Sequence, residues 1–511
     1  MFKSLQCIML ISSMVSISLF GGKNIGLTKE IENRRECIVC SVNSSVAEDS
    51  GEYALGYTDG FWVEEDETIY LLKSYGNAVL EVKKNSRKEI PLSAAALPAC
   101  IISDENNLYI YDDILCELQI YTKQGELLVR QKIDLAKDYV KNLVKIKDGI
   151  AVLTYGGKQI PVECQSGKLN MAEAEHIPNI DAAGFDYAEY IGTDEDGTVY
   201  SVHTTLVDNC SVLAGEMTLR AVTAEGVLKG SYILPTQECV YLPGQYVHVM
   251  DNGNIYLLIP AEETVEVRKI ALKESVISDL SVFSEAAAAL ENKYASDVRS
   301  RIRSGLACTE EITMSREETR QRADAMAEYK WTLKKTHTLT SKSEKGVVLP
   351  REIAFWKAEN ADKSSWSVEI TGIPYCWGGF YALDVGFGGK TFQQVVDNKY
   401  VAGNIEPKGN YKYMTAGLDC SGYVSAVFCL PSKKNTGALS CLGSKVSDVR
   451  NLEQMDILVW PGEHIIFFYE WIDDATMLVS ESNVRNGKVI IHPKTLNELI
   501  VDKRYQMRSP W

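Results

Sequence analysis

Two stretches near the C-terminal end carry side chains of the kind that attack carbonyl groups. In GLDCSGYVSAVF (417–428), Cys420 stands where small and polar residues give way to an apolar run of helical character. That pattern places the thiol at a helix N-terminus, where unpaired N–H groups and the helix dipole favour an anion. A thiolate is the form that attacks a carbonyl, and the same N–H groups can hold the oxyanion that then develops. In MDILVWPGEHIIFFYEW (455–471), a strand, a Pro-Gly turn and a second strand are expected, with His464 opening the second strand. The chain has six histidines (His176, His203, His248, His337, His464 and His492), which leaves few bases for a thiol. Cys420 and His464 are 44 positions apart, so only a tertiary fold can pair them. Each also has an ordinary reading, since a cysteine starting a helix is commonly a small core residue and a histidine starting a strand is commonly a surface one.

The elements that must position these residues differ along the chain. From about 50 to 275 a phrase recurs: an acidic or Asn/Gly turn, a short alternating strand, a second strand, a Gly- or Asn-containing turn, another apolar strand. The first strands of the units read as TIYLL (68–72), LYIYD (108–112), GIAVL (149–153), TVYSV (198–202) and NIYLL (254–258). With Tyr70, Tyr109, Ala151, Tyr200 and Tyr256 taken as equivalent, the spacings are 39, 42, 49 and 56. Period-2 alternation between such turns means strands. A repeat of about 40–50 residues built from short strands points to propeller blades, which stack because one blade cannot bury both its faces. Five units are clear, a sixth would begin at EYALGYTDGFWV (52–63), and a pair of β-sandwiches is the alternative. Beyond the repeats, residues 277–304 read as an Ala-rich charged helix. A second helix is expected from Ser315, with Glu318 at the spacing of a capping box. Residues 337–346 read as a loop.

The 511 residues are 45% hydrophobic and 24% charged, enough apolar material for more than one core. Asp and Glu number 69 against 53 Lys and Arg, a net charge of −16. That balance excludes a general nucleic-acid binder, whose phosphate affinity needs clustered cations, and a surface that clings as a whole to anionic lipid or wall polymers. Thirteen cysteines are too dilute for a disulfide scaffold. Lys3 followed by an uncharged run from Cys7 to Phe20 has the form of an export signal, too short to span a bilayer comfortably. Cleavage near residue 24, or retention as an N-terminal anchor, would leave the bulk of the chain outside a bacterial cytoplasm. Cys37 and Cys40 form a C-x-x-C without a partner pair, and no metal or cofactor is expected.

GIPYCWGG (372–379), GLDCSG (417–422) and DILVWPGEHIIFF (456–468), in this order, resemble the NlpC-type cell-wall cysteine peptidases, over about residues 315–511. The resemblance implies a compact papain-like α+β fold, with Cys420 as nucleophile and His464 as base and acid. It implies that Asp419 and Ser421 shape the groove and bind the free amine of a substrate, and that Tyr375 lies beside the thiolate, with Trp377 on the same substrate side. The implied reaction is hydrolysis of an amide in peptidoglycan stem peptides, typically between γ-linked D-glutamate and a diamino acid. Met455-Asp456 departs from the family's usual Gly-Asp. The family's third polar residue, which orients the histidine, is commonly His, Asn or Gln. Here ATMLVSESNVRNGKVIIHP (475–493) offers Ser480, Glu481 and Asn483. Glu481 is the first choice, because a carboxylate accepts from an imidazole N–H and stabilises its charged form. His492 reads as too far along the following strand. Cys376 and Cys429 lack the helix-start context of Cys420.

The sequence therefore predicts an export segment (1–24), an all-β propeller-like domain (45–275), a helical linker (276–313) and an NlpC-type peptidase domain (314–511). The expected function is a secreted peptidoglycan endopeptidase acting on stem peptides. The alternatives are a catalytically inactive wall- or partner-binding protein, and an amidase or acyltransferase on the same fold. The propeller's ligand is not legible. The C-terminal part, with about 200 residues and its own motifs, is of a size to fold alone, and the blades are expected to bury their faces against one another.

Overall fold

Alternating apolar residues between acidic or glycine turns form the first half of the molecule. The computed structural model describes residues 38–511 apart from 44–57, 74–75, 85, 136–137, 147–148, 166–167, 172–173, 179, 181, 183, 262–263, 274–279, 306–309, 339–345, 407–410 and 503. The expected export segment, Cys37 of the C-x-x-C, and parts of the turns near Asn85 and Gly167 lie outside the described residues. Among the described residues no helix is long and apolar enough to cross a membrane.

Five antiparallel sheets, each with four strands in its main path, make up a propeller-like N-terminal region. The first blade runs Thr58–Val63, Ile69–Lys73, Ala78–Lys83, Ser86–Pro91. The second runs Pro98–Ser103, Asn107–Asp112, Glu117–Thr122, Leu127–Lys132, and the third and fourth begin with Val140–Ile146 and Tyr187–Thr193. The fifth consists of Val247–Val249, Ile255–Pro260 and Thr264–Ile270, and is completed by Ile38–Asn43 from the start of the chain. The first strands of blades one and two, two and three, four and five, and five and one lie against each other. Borrowing the outer strand of the last blade from the N-terminal end ties the ring shut through backbone hydrogen bonds.

Two sequence expectations are corrected. The strands recognised by their alternation are the second of each blade, not the first. The innermost strands, such as Thr58–Val63 and Pro98–Ser103, are buried along their whole length, as nearly all of the second strands Ile69–Lys73 and Asn107–Asp112 are. Of the stretch at 52–63, read as the start of a sixth unit, the described part Thr58–Val63 is the inner strand of the first blade. The acidic turns have an internal use. Tyr109 Oη donates to Asp104 Oδ2 at 2.7 Å and Tyr200 Oη to Asp194 Oδ2 at 2.9 Å, while Tyr70 Oη reaches Glu64 at 3.5 Å. Asp104 and Asp194 also accept backbone N–H groups of their own turns. Each such pair satisfies a phenol that would otherwise be buried unpaired.

The C-terminal part has few helices. Its centre is a six-stranded antiparallel sheet in the order Ser444–Lys445, Gln506–Ser509, Ile457–Trp460, His464–Trp471, Thr476–Asn483, Lys488–Thr495. The buried helix Cys420–Val427 packs on His464–Trp471 and Thr476–Asn483. The helix Arg316–Ala327 carries the expected capping box, with Glu318 N donating to Ser315 Oγ and Ser315 N to Glu318 Oε2. A short pair, Lys330–Lys334 with Ser367–Thr371, flanks the sheet. Met455 takes a left-handed conformation (φ 69°), which explains why glycine suits this turn better; its side chain is fully buried.

The two parts share a core, contrary to the expectation that the blades close only on themselves. Tyr187, Leu206 and Leu213 of the fourth blade pack in one cluster with Leu458, Met477, Leu499 and Ile500. Leu213 N donates to Tyr505 O and Met507 N to Ser211 O, so the chain at 211–213 continues the edge of the sheet. Asn497 is buried among the hydroxyls of Tyr187 and Thr204, both donating to it, and itself donates to Glu189. The helix Ser281–Arg303, expected as a linker, lies across this seam: Glu291 receives Ser211 and Lys445, and Tyr294 Oη donates to Arg504 O.

Candidate active site

Cys420 is the first residue of its helix, and Asp419 is the N-cap, accepting Gly422 N through Oδ1 at 2.6 Å. All eight helix residues are buried, so the apolar run holds the helix against the sheet with its N-terminus at the start of the strand His464–Trp471. The tight turn before that strand brings Glu463 O to 3.9 Å from Cys420 Sγ. The next residue, His464, lies near enough to Cys420 for the thiol to help raise its imidazole.

The other face of that ring meets Glu481, whose carboxylate accepts from His464 Nε2. This leaves Nδ1 as the nitrogen for the thiol. Glu481 has no solvent exposure. Its second oxygen accepts from His492 Nε2 at 2.6 Å, and Lys494 Nζ stands 3.5 Å away. Burial works against the carboxylate, but the Lys494 charge and the two imidazoles hold it well below the usual range. Burial likewise pushes the His464 imidazole down, yet the neighbouring Cys420 thiol and the Glu481 carboxylate outweigh it and lift it to about 10.

The structure thus brings Cys420 near His464 and joins His464 to Glu481 by a hydrogen bond. Of the alternatives to Glu481, Ser480 turns the other way and bonds Tyr423 Oη at 2.5 Å, and Asn483 Oδ1 accepts Asn486 N in the hairpin turn. His492, read from sequence as too distant, belongs to this chain. The signal was available in the hairpin register: Glu481 faces Ile490 across the strands, and His492 lies two residues further, on the same side as Glu481.

The segment containing Tyr375 and Trp377 is pinned by its backbone. Tyr375 bridges Leu418, two residues before the thiol, and donates its N–H to Gly487 O at 2.7 Å; Trp377 N donates to Asn404 O. Tyr375 is buried and Trp377 half-buried. Gly379 and Gly417 make this approach possible, since a Cβ on Gly417 would sit 2.1 Å from Pro374 O, at a φ of 144°. Cys376 is fully buried, its thiol pushed up to about 12 by burial, and its Sγ lies 3.1 Å from Thr415 Oγ1. Cys429 sits on the surface where the chain reverses after the helix.

Asp419 and Ser421 do not present free acceptors. Lys433 Nζ lies 2.9 Å from Asp419 Oδ2 and donates to Ser421 Oγ at 3.1 Å. Asp419 Oδ2 also accepts Gly378 N at 3.0 Å, and Ser421 Oγ donates to Oδ1. A separate cavity of about 640 Å³ opens on the propeller, lined by Trp62, Tyr109, His248 and the acidic turns.

No protein-family model matches the sequence, and no curated protein matches it. Among solved structures, a streptogramin B lyase shares 13% identity over 46% of this chain and 73% of its own, with a TM-score of 0.24. A virginiamycin B lyase from Staphylococcus aureus shares 11% over 45% and 99%, at 0.27, and a Myxococcus xanthus glutaminyl cyclase 10% over 46% and 97%, at 0.28. At TM-scores this low these likenesses carry nothing about activity.

Proposed function

We propose that the protein is a secreted cysteine endopeptidase that hydrolyses an amide bond in peptidoglycan stem peptides, with a papain-like C-terminal part. The observation that carries this reading is the placing of Cys420 against the turn that opens the His464 strand, with the His464 ring donating to the buried Glu481 carboxylate. The three motifs resembling the NlpC-type peptidases, found in the same order, support the choice of substrate.

In this reading His464 already holds the proton, and Cys420 Sγ bonds to the carbonyl carbon as the thiolate. The ring, charged and held by Glu481, keeps that proton. The tetrahedral oxyanion lies at the N-terminus of the helix Cys420–Val427, where backbone N–H groups stabilise it. Collapse breaks the C–N bond, and the His464 proton goes to the leaving amine. Water, deprotonated by His464, then cleaves the thioester and returns the thiol.

Incubation of the purified protein with defined muropeptides, with the fragments identified by mass, tests the reading. Cleavage between γ-D-glutamate and the diamino acid is expected, and its loss in Cys420→Ala and His464→Ala. Activity near wild type in Cys420→Ala would overturn it, and cleavage of the sugar–peptide amide instead would replace it with an amidase.

A further inference from the structure

The helix that starts at Cys420 ends at Val427, and the chain reverses at once. Cys429 takes a left-handed conformation (φ 53°), Leu430 N returns to Ser425 O, and Lys434 N donates to Ser425 Oγ. The loop therefore runs back along the helix and delivers Lys433 to its beginning. There the ammonium meets Asp419 and Ser421, the two residues on either side of the candidate nucleophile. The Asp419 and Lys433 side chains retain only 11% and 19% of their exposure. With Gly378 N, Gly422 N, Ser421 Oγ and Lys433 Nζ all placed on Asp419, neither carboxylate oxygen is left for another cation.

We infer that Lys433 fills an ammonium-binding position beside Cys420 from within the chain, and so selects substrates whose amino terminus is acylated over those with a free ammonium. The inference rests on the hydrolase reading above and names its substrate class. A free ammonium arriving beside Cys420 would meet a like charge and no open acceptor, and a partly buried charge left without a partner is strongly disfavoured. An acylated nitrogen carries no charge and meets no such penalty. Stem peptides still joined through their amino end would then be the substrates, and peptides already released with a free amine would be refused.

The test uses one synthetic peptide containing a γ-D-glutamyl–diamino acid bond, made with a free and with an acetylated amino terminus. Binding of both to the full-length Cys420→Ala protein is measured by calorimetry, and kcat/KM is measured with the wild-type residue at 420. The acetylated peptide is expected to be favoured at least about tenfold in both measurements. Lys433→Met should abolish or invert that preference, and Lys433→Arg should keep it. Lys433→Gln provides a second neutral variant should Met fail to fold. An equal preference in wild type and both neutral variants would overturn the inference, as would failure of the acetylated peptide to bind. Selective binding of the acetylated peptide without any turnover would instead overturn the hydrolase reading and leave the role of Lys433 standing.

Discussion

Glu481 is an anion with no access to water, and three cationic or donor groups surround it: His464, His492 and Lys494. Glu481→Gln keeps the shape and removes the charge, so kcat/KM should fall by roughly ten- to a thousandfold, by analogy with orienting residues of such triads. The same pair should be visible in stability. His464 is raised in the folded state, so its contribution is full below its unfolded value, about 6.5, and is lost as pH rises through about 10. Glu481 is lowered, so its contribution is present above its unfolded value, about 4.3, and is lost as pH falls through its folded one. The melting-temperature gap between wild type and Glu481→Gln should therefore be widest near pH 5–6 and narrow by pH 10. A gap that does not vary with pH would show that the ion pair is absent. His492→Leu deprives Glu481 of a donor without touching the thiol or His464. It should lower kcat by about ten- to a hundredfold with little change in KM, while His492→Gln retains a donor and much of the rate.

At the scale of elements, the site depends on how closely two irregular segments approach. Backbone hydrogen bonds join Pro374–Cys376 to Leu418, and Gly417 lies between them without a side chain. Gly417→Ala puts a Cβ against a carbonyl oxygen at a φ that side chains rarely adopt, and should cost about 3 kcal/mol or more of stability. Thermal unfolding checks this, and a melting temperature within a degree of wild type would show that the segments can part freely. The same packing explains why Ser480 cannot serve the chemistry: its hydroxyl faces the helix and Tyr423, while Glu481, one residue on, points to the other side of the strand.

At the scale of the molecule, the propeller-like region is a structural partner of the C-terminal part. Leu499 and Ile500 are buried against Tyr187, Leu206 and Leu213. The hairpin turn after Glu481 sends Arg485 to Asp59 and Asp113 of the first and second blades. A fragment starting near residue 310 would leave the apolar face formed by these residues uncovered, and should aggregate and lose most activity on soluble muropeptides. A monomeric fragment with unchanged kcat/KM would show that the shared cluster is dispensable. In the full-length chain, Ile500→Asp buries an unpaired carboxylate in the seam. It should lower the melting temperature of the whole molecule by several degrees, since such charges cost several kcal/mol.

Local signals were legible without a fold. Ser315 and Glu318 announce their capping box because both partners lie within one helical turn, and the second strand of each blade announces itself as an apolar run directly after an acidic or glycine turn. Cys420 and His464 could be singled out from the residues around them, and Glu481 from the chemistry an imidazole needs. What sequence order could not express was distance. His492 lies 11 positions from Glu481 and reaches it only through the register of the hairpin. Lys433 lies beyond the end of the helix that starts at Cys420, and comes back to Asp419 and Ser421 at its start because the chain doubles back at Cys429. The shared core was hidden because apolar residues facing another domain look the same as those facing their own. Periodicity and capping are properties of neighbours along the chain, whereas charge pairing and core membership depend on which surfaces meet, and only the tertiary structure decided that.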